Sequence, residues 1–319
     1  MIPYATAAEA EGALGRPMTW AEAAWFRYSS ATPDYCLHFH TVILLSVVYT
    51  LVPLPLALLE LRTSAKQTSP PYKLQPRVRR TPADFIRCYK NTVRVVAPAA
   101  GALQLHYYKI DLSFRPFVPM VGIRTGLPLP SVGETAAQLL VYFLVEDYQA
   151  YWVHRLLHTA WAYDKIHRVH HEYTAPIGFA APYAHWAEVL ILGVVAFASP
   201  AMVPCHVTTF WLWFALGGIQ SIDTHSGFSF PLSPTRFIPF YGGAQHHDFH
   251  HYTGRHTQSN FAFIFTFCDY IYGTNKVMLS FAVFILFTKT LLELPRINYL
   301  CMEHNVFAFP HVFQGYRLP

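Results

Sequence analysis

Between residues 134 and 158 the chain reads ETAAQLLVYFLVEDYQAYWVHRLLH. The first half of this segment is apolar, whereas the second half carries carboxylates, aromatic rings and, at its end, two histidines four residues apart. Side chains three or four residues apart lie on the same face of a helix. The segment therefore predicts a helix whose last turns present His154 and His158 in one direction.

Two more histidine groups follow this helix. Residues 167–171 read HRVHH and residues 247–251 read HDFHH, so both have the spacing HxxHH. Imidazole suits zinc, copper, iron and nickel, and eight of them exceed the octahedral sphere of one ion. The three groups therefore predict two metal ions. The predicted ligands are His154, His158, His167, His170, His171, His247, His250 and His251.

Hydrolytic zinc chemistry is disfavoured by the first group. Position 155 is Arg, so the glutamate general base of the HExxH metalloproteases is missing. The five cysteines form no CxxC pair, which argues against a thiolate zinc site and against a disulfide framework. A redox role is the better interpretation.

The chain around these groups is apolar. Charged residues make up 13% of the 319, about half the ~25% of average globular domains. Histidine, in contrast, occurs 18 times, as often as Asp and Glu together. The net charge of +5 is spread along the chain and does not predict nucleic-acid binding.

Apolar runs predict an all-α, polytopic membrane protein with transmembrane helical hairpins. Residues 42–61 are long enough to cross a bilayer, and residues 92–108 are a weaker return span. Residues 189–203 and 207–222 predict a tight hairpin that dips into or crosses the membrane. In either case the histidine groups would share one membrane face.

The order HxxxH, HxxHH, HxxHH resembles the histidine boxes of the fatty acid hydroxylase/sterol desaturase superfamily. Longer phrases resemble the plant methylsterol monooxygenases, sterol C-4 methyl oxidases of the type acting on 4,4-dimethylsterols. These phrases are EDYQAYWVHR at 146–155, HHEYTAP at 170–176, YAHWAE at 183–188, THSG at 224–227 and YGG at 241–243. The resemblance runs from the N-terminus to about Lys276.

The resemblance implies a non-haem di-iron oxygenase that uses dioxygen and electrons from NAD(P)H, delivered through cytochrome b5 and its reductase. It would oxidise the sterol C-4 methyl group stepwise to a carboxylate, which a sterol C-4 decarboxylase would remove. The expected location is the endoplasmic reticulum membrane, with several spans and the boxes facing the cytosol. The sequence has no GxGxxG fingerprint for a dinucleotide and no haem-attachment motif. We therefore expect this chain to bind neither NAD(P)H nor haem directly.

The resemblance adds two candidate ligands, because His185 and His225 stand where the family has further histidines. The competing interpretation is a histidine that forms hydrogen bonds at the membrane interface. Ligating imidazoles usually donate their second N–H to a carboxylate or carbonyl. Candidate carboxylates near the boxes are Glu146, Asp147, Glu172, Glu188 and Asp248. Asp147 and Glu146 are preferred because acidic residues inside a span are costly unless paired; the alternative is a helix that emerges into water.

Residues 1–276 are predicted to form one membrane-embedded domain, with the histidine region at about 134–276. Residues 277–319 depart from the polar, lysine-rich end of the family. We hypothesise that they are read from a retained intron; the alternative is a genuine divergent tail. The competing functions are a His-rich metal carrier, an inactive splice form that binds sterol or cytochrome b5, and another superfamily member, either a C-5 sterol desaturase or a fatty acid hydroxylase.

Overall fold

The computed structural model describes residues 4–66, 70–114, 123–254 and 258–276. Within these residues the fold is helical, with three isolated β-bridges and no strand. The predicted all-α class is confirmed for this part of the chain. Contacts between Cα atoms divide the chain into Met1–Thr274 and Asn275–Pro319. The predicted atypical tail, 277–319, lies outside the described residues.

The helices of the described residues all lie in the first unit. The α-helices are α1 (Ala7–Leu14), α2 (Trp20–Ser30), α3 (Asp34–Leu51), α4 (Leu54–Ala65), α5 (Pro82–Phe114), α6 (Val132–Leu157), α7 (Ala160–Lys165), α8 (Trp186–Met202), α9 (Val207–Thr224), α10 (Gly243–Thr253) and α11 (Phe267–Ile271). Short 3₁₀ helices cover His167–Glu172, Gly178–Ala180 and Pro234–Phe237.

Helix α6 is the helix expected at 134–158, displaced by two residues at its start and one at its end. It begins after Ser131, whose hydroxyl accepts a hydrogen bond from the backbone N–H of Glu134 at 3.0 Å. Such a cap satisfies one of the free N–H groups of the first turn. The cap fixes where the helix begins, and α6 then runs unbroken to the first histidine box.

Helices α3 and α4 provide the one candidate membrane span among the described residues. Asp34–Ser64 contains 31 residues, and its most apolar window has a mean hydropathy of 2.4 with only 17% of the window buried. Pro53 lacks an N–H for the helical ladder, and the chain turns between the two helices at this point. The predicted span at 42–61 falls within this segment.

The other expected spans are helical but do not meet the same criterion. Residues 92–108 lie inside α5, which contains Pro98, and α8 is a shorter apolar helix of 17 residues. Within the described part of the chain, length and hydropathy thus identify a single span. Several spans stay a prediction.

Helices α8 and α9 do not form the isolated tight hairpin that the sequence suggested. They touch through Phe197, whose ring centroid lies 5.8 Å from those of Phe210 and Phe214. However, α8 packs mainly on α5 and α6, whereas α9 packs mainly on α3, α10 and α6. Helix α9 thereby buries Phe210, Trp213 and Ile222 against the bundle, whereas most apolar side chains of α8 stay half-buried or exposed. Helix α10, which carries the third histidine box, is held against α9.

Candidate metal centre

Nine buried histidines converge in two groups, and each side chain is at most 8% exposed. The five-histidine group consists of His154, His158, His167, His171 and His250, and the four-histidine group of His170, His225, His247 and His251. Within each group the candidate ligand nitrogens all lie within 4.8 Å of one another. The groups are adjacent, because the rings of His171 and His251 stack with centroids 4.6 Å apart.

The boxes divide between the two groups in a regular way. Each pair of histidines four residues apart stays together, whereas the middle histidine of each HxxHH joins the other group. Successive residues of an α-helix are turned by about 100°. His250 and His251 of α10 therefore point to different groups. The predicted common direction of His154 and His158 agrees with this arrangement, whereas the three histidines of each HxxHH box divide between the two groups.

The second box also has a different local structure from the helix that its spacing suggested. Residues His167–Glu172 form a 3₁₀ helix, not an α-helix. His170 and His171 nevertheless separate as the corresponding pair in α10 does, one to each group.

The four-histidine group is a closed ring of Nε2 atoms. Neighbouring Nε2 atoms are 3.2 Å apart for His170 and His225, 2.9 Å for His225 and His247, and 3.1 Å for both His247–His251 and His251–His170. Two imidazoles bound at a right angle, with bonds of about 2.1 Å, have nitrogens about 3.0 Å apart. The ring thus has the spacing of four ligands around one ion.

The five-histidine group shows the same spacing along a chain of contacts. The Nε2 atom of His167 lies 3.1 Å from those of His154 and His171. The Nε2 atom of His250 lies 3.1 Å from that of His171 and 3.0 Å from that of His158. All five nitrogens therefore face a common centre.

The proton positions show that this donor set fits a cation. His170 and His225 donate from Nδ1 to the carbonyl oxygens of Tyr183 and Ser221, at 2.9 and 2.8 Å. A neutral imidazole has one N–H, so both Nε2 atoms carry lone pairs. Two lone pairs that face each other at 3.2 Å repel unless a positive charge lies between them. A metal ion is the group that such a ring accommodates.

Burial keeps these imidazoles neutral. It lowers the pKa of His170 to about 4 and, together with the neighbouring His170, lowers the pKa of His225 to about 3. Burial and the neighbouring histidines also lower the pKa of His251. Metal binding requires the neutral imidazole, so the pocket holds its ligands in the binding form at neutral pH.

Among the carboxylates that the sequence suggested, Glu188 contacts a box histidine directly. Its Oε1 atom accepts a hydrogen bond from Nδ1 of His167 at 2.8 Å. The preferred candidate, Asp147, has a different partner, because its Oδ1 accepts from the backbone N–H of Ile264 at 2.8 Å. Asp147 shares a helical face with His154, but seven residues separate them by about 10 Å along α6.

The remaining suggested carboxylates have other environments. Glu172 accepts a hydrogen bond from the Tyr183 hydroxyl at 2.7 Å, and Asp248 accepts one from Gln75 at 3.0 Å. Glu146 lines the cavity described below. Burial raises the pKa of Asp248 to about 7, against the opposing hydrogen bond from Gln75.

His185 lies outside both groups. Its Nδ1 accepts a hydrogen bond from the backbone N–H of Ala187 at 3.2 Å and so caps the start of α8. Of the two extra histidines that the resemblance suggested, the structure brings only His225 to the other candidate ligands.

Asp269 was missed by the sequence reasoning. Its side chain is fully buried, and its two oxygens accept from the backbone N–H groups of Phe261 and Ala262 at 3.0 and 2.9 Å. The same segment supplies the carbonyl oxygens of Phe261 and Ser259, which accept from His154 and His250 at 2.7 and 3.0 Å. Its place in the apolar run FCDYIYG was the available signal, since a buried acid needs partners.

The environment of Asp269 keeps it charged. Burial alone would raise its pKa, but hydrogen bonding and the nearby charge of His246 hold the pKa below its usual value. The Thr274 hydroxyl also donates to Asp269 at 2.6 Å. A charged, fully hydrogen-bonded carboxylate can hold the 259–262 segment in one conformation.

A cavity of about 260 Å³ borders the four-histidine group. It lies between α3, α5, α6, α8 and α9, and apolar side chains such as Leu45, Leu192 and Phe214 line most of it. His170, His225 and His247 form part of its wall. An apolar molecule in this cavity would therefore lie beside the four-histidine group.

Comparison with known proteins agrees with this site. The fatty acid hydroxylase family model matches residues 139–274. The chain is 63% identical over 276 residues to the very-long-chain aldehyde decarbonylase GL1-10 of Oryza sativa subsp. japonica, which covers 86% of this chain and 89% of the relative. It is 55% and 54% identical to methylsterol monooxygenases 1-1 and 1-2 of Arabidopsis thaliana, over 86% of this chain and 90% of each relative. No solved structure matches the chain significantly.

The chain belongs to the fatty acid hydroxylase family. The predicted similarity to plant methylsterol monooxygenases is confirmed, and so is the prediction of an oxidoreductase enzyme of this family. Its two histidine groups are consistent with non-haem iron.

Proposed function

We propose that this protein is a methylsterol monooxygenase that oxidises the C-4 methyl group of 4,4-dimethylsterols at a non-haem di-iron centre. The observation that carries the proposal is the apolar cavity with three histidines of the four-histidine group in its wall. Such a cavity suits a hydrocarbon ring system, and the relatives from Arabidopsis are named for this reaction.

The chain's own residues would hold, orient and shield the reacting groups. The nine Nε2 atoms would bind the ions. Backbone carbonyls and Glu188 fix the ring orientation of five of these histidines through Nδ1, namely His154, His167, His170, His225 and His250. When bound, iron supplies the activation of dioxygen. The cavity walls exclude water and hold the methyl group on the side of His170, His225 and His247.

The cavity fits part of a sterol. Its volume of about 260 Å³ is just below the usual 300–1,000 Å³ of ligand pockets. Only the sterol ring that bears the reacting methyl groups would enter the cavity fully. The other rings and the side chain of the sterol would extend between the helices towards lipid. Sterol would therefore enter laterally from the bilayer.

The proposed setting is the endoplasmic reticulum membrane, crossed several times, with the histidine groups on the cytosolic side. Asp34–Ser64 supports an anchored chain, and the apolar α8 supports a second membrane-embedded segment. Electrons would come from NAD(P)H through cytochrome b5 and its reductase. A sterol C-4 decarboxylase would act on the carboxylate product.

Aldehyde decarbonylation is the second candidate function. The 63% identity to the rice protein of that name supports it. The same apolar cavity and histidine groups could serve a long-chain aldehyde. The two functions differ in the polar group that the substrate presents to the cavity, and direct assays separate them.

The decisive experiment is expression in a yeast strain that lacks its own C-4 methyl oxidase, followed by sterol profiling. We expect loss of accumulated 4,4-dimethylsterol and appearance of demethylated sterol. The variants His170→Ala and His250→Ala, one from each group, should leave the profile of the deficient strain unchanged. A parallel assay supplies a very-long-chain aldehyde and measures alkane.

Each outcome has one interpretation. Alkane formation without sterol oxidation would replace the first function by the second. An iron-loaded protein that changes neither profile would contradict both, and would support the inactive form that binds sterol or cytochrome b5. Wild-type sterol oxidation by either histidine variant would contradict the assignment of its ligand.

A further inference from the structure

Two buried carboxyl groups in the cavity wall each have an oxygen without a hydrogen-bond partner among the described residues. Asp147 is fully buried, and its Oδ1 accepts from Ile264 while its Oδ2 accepts from no donor. Glu188 is 2% exposed, and its Oε1 accepts from His167 while its Oε2 accepts from no donor. Buried polar atoms nearly always have a partner, so a bound molecule is expected to supply one.

Other polar groups of the same wall are occupied by the protein. The Gln220 amide donates to the carbonyl oxygen of Phe263 at 2.8 Å, and the Thr224 hydroxyl donates to that of Ser221 at 2.9 Å. Thr41, on α3, adds a further hydroxyl without a hydrogen-bond partner. Glu146 is a third carboxyl group of the wall and is only partly buried, so the free oxygens of Asp147 and Glu188 are the fully buried acidic acceptors that an otherwise apolar ligand would meet.

We propose that the free oxygens of Asp147 and Glu188 bind the hydroxyl group of an alicyclic alcohol, and that the substrate's reacting methyl group lies on the carbon next to the one bearing this hydroxyl. This inference rests on the proposed sterol C-4 methyl oxidation. In a 4,4-dimethylsterol the hydroxyl is on C-3, beside C-4. The two carboxyl groups and three histidines of the four-histidine group border one cavity, so one ligand can reach both.

The hydrogen bonds from the substrate hydroxyl to Asp147 and Glu188 would set the orientation of the substrate in the cavity. Burial of hydrocarbon rings is non-directional, so an apolar wall alone does not select which methyl group faces the ions. A hydroxyl that donates to the free oxygen of a buried carboxyl group fixes one end of the molecule, because a hydrogen bond is directional. A very-long-chain aldehyde has no O–H to donate, so this subsite would favour the sterol over the aldehyde.

The first test uses the wild-type enzyme in membranes. The 4,4-dimethylsterol is compared with its 3-deoxy analogue, which has the same rings and methyl groups. We expect kcat/KM to be about tenfold to a hundredfold higher for the alcohol, the range for leaving a buried hydrogen-bonding group without its partner. Equal values for the two compounds would overturn the hydroxyl subsite while leaving C-4 methyl oxidation intact. Oxidation of neither compound would instead overturn the proposed function, and this inference with it.

The second test uses the double variant Asp147→Asn, Glu188→Gln. The amide oxygens can still accept from Ile264 and His167, and the metal content of the purified protein reports whether that support is kept. We expect the preference for the alcohol to fall about tenfold, because the amide oxygens stay with Ile264 and His167 and an N–H₂ group, which cannot accept, replaces each free oxygen. Glu134→Gln is the matched control, since Glu134 is a surface carboxylate of the same helix paired with Arg124. A fully metal-loaded double variant with the wild-type preference would overturn the proposal.

Discussion

The place of His225 among the candidate ligands follows from the tertiary structure and not from any local sequence pattern. It stands 22 residues before His247, outside the spacing of any box, yet their Nε2 atoms are 2.9 Å apart. His185 belongs to the same stretch between boxes and caps α8 instead. Nothing in the local sequence separates these two histidines. Their different roles follow from where α8 begins and where α9 ends.

Replacement of these two histidines should separate their roles. We expect His225→Ala to lose the ion of the four-histidine group, because three ligands replace a closed ring of four. Metal per purified protein should fall from about two ions to about one. His185→Ala should keep both ions and lose only a cap of about 1 kcal/mol. Equal metal content in the two variants would contradict the grouping.

Asp269 should affect metal binding without touching the ions. In Asp269→Asn an amide N–H₂ replaces one acceptor oxygen, so a backbone N–H of Phe261 or Ala262 loses its partner. The segment that orients His154 and His250 would loosen, and we expect a 10–100-fold loss of affinity at the five-histidine group. Chelator competition measures this loss. Asp84→Asn is the control, because Asp84 accepts a backbone N–H of Thr81 at the exposed start of α5.

At the scale of elements, the turn after α9 is as constrained as the helices. Gly227 has φ +72°, and a Cβ atom there would lie 2.8 Å from the carbonyl oxygen of Pro176. Both the conformation and the close approach require glycine. This contact joins the end of α9, where His225 lies, to the segment that follows the second box.

Gly227→Ala should therefore destabilise the folded protein by about 1–3 kcal/mol and reduce occupancy of the four-histidine group. Gly12→Ala is the matched control, because Gly12 lies inside α1 with nothing within 4 Å of an added Cβ. That change should be stabilising by about 0.5–1 kcal/mol, the helix preference for Ala over Gly. Thermal unfolding in detergent compares the two variants, and similar effects in both would contradict the constraint at Gly227.

Across the whole molecule, the histidine groups tie together α6, the second box, the end of α9 and α10. Burial lowers the folded-state pKa of His170 to about 4 and of His225 to about 3, whereas an unfolded histidine has a pKa near 6.5. Between these values the unfolded chain binds more protons than the folded chain. The contribution of these two histidines to the stability of the metal-free protein must therefore fall as pH drops below about 6.5, and stop falling below about 3.

We expect the metal-free protein to have a lower Tm than the loaded protein at pH 7, because ligands that bind only the folded state stabilise it. Its Tm should fall further between pH 7 and pH 5. The Arg16–Glu22 pair provides an internal contrast, since the Arg16 hydrogen bond lowers the pKa of Glu22 to about 2 and its contribution is lost only at lower pH. A Tm independent of pH from 7 to 5 would contradict neutral buried histidines.

The sequence alone determined the helical class and the position of α6, and it predicted the eight box histidines as ligands of two ions. These follow from local rules, because the spacing of histidines, the run of apolar residues and the cap at Ser131 act within a few residues. It also supported the family, through phrases that surround the boxes.

Tertiary structure alone decided which histidines lie in the same group, that His225 joins them and His185 does not, and that Asp269 supports the site. Each of these depends on contacts between residues far apart in the chain, such as Asp147 with Ile264 and His154 with Phe261. Spacing along one helix fixes the direction of a side chain but not what lies opposite. The cavity beside the four-histidine group has the same origin, because residues of six separate α-helices line its walls.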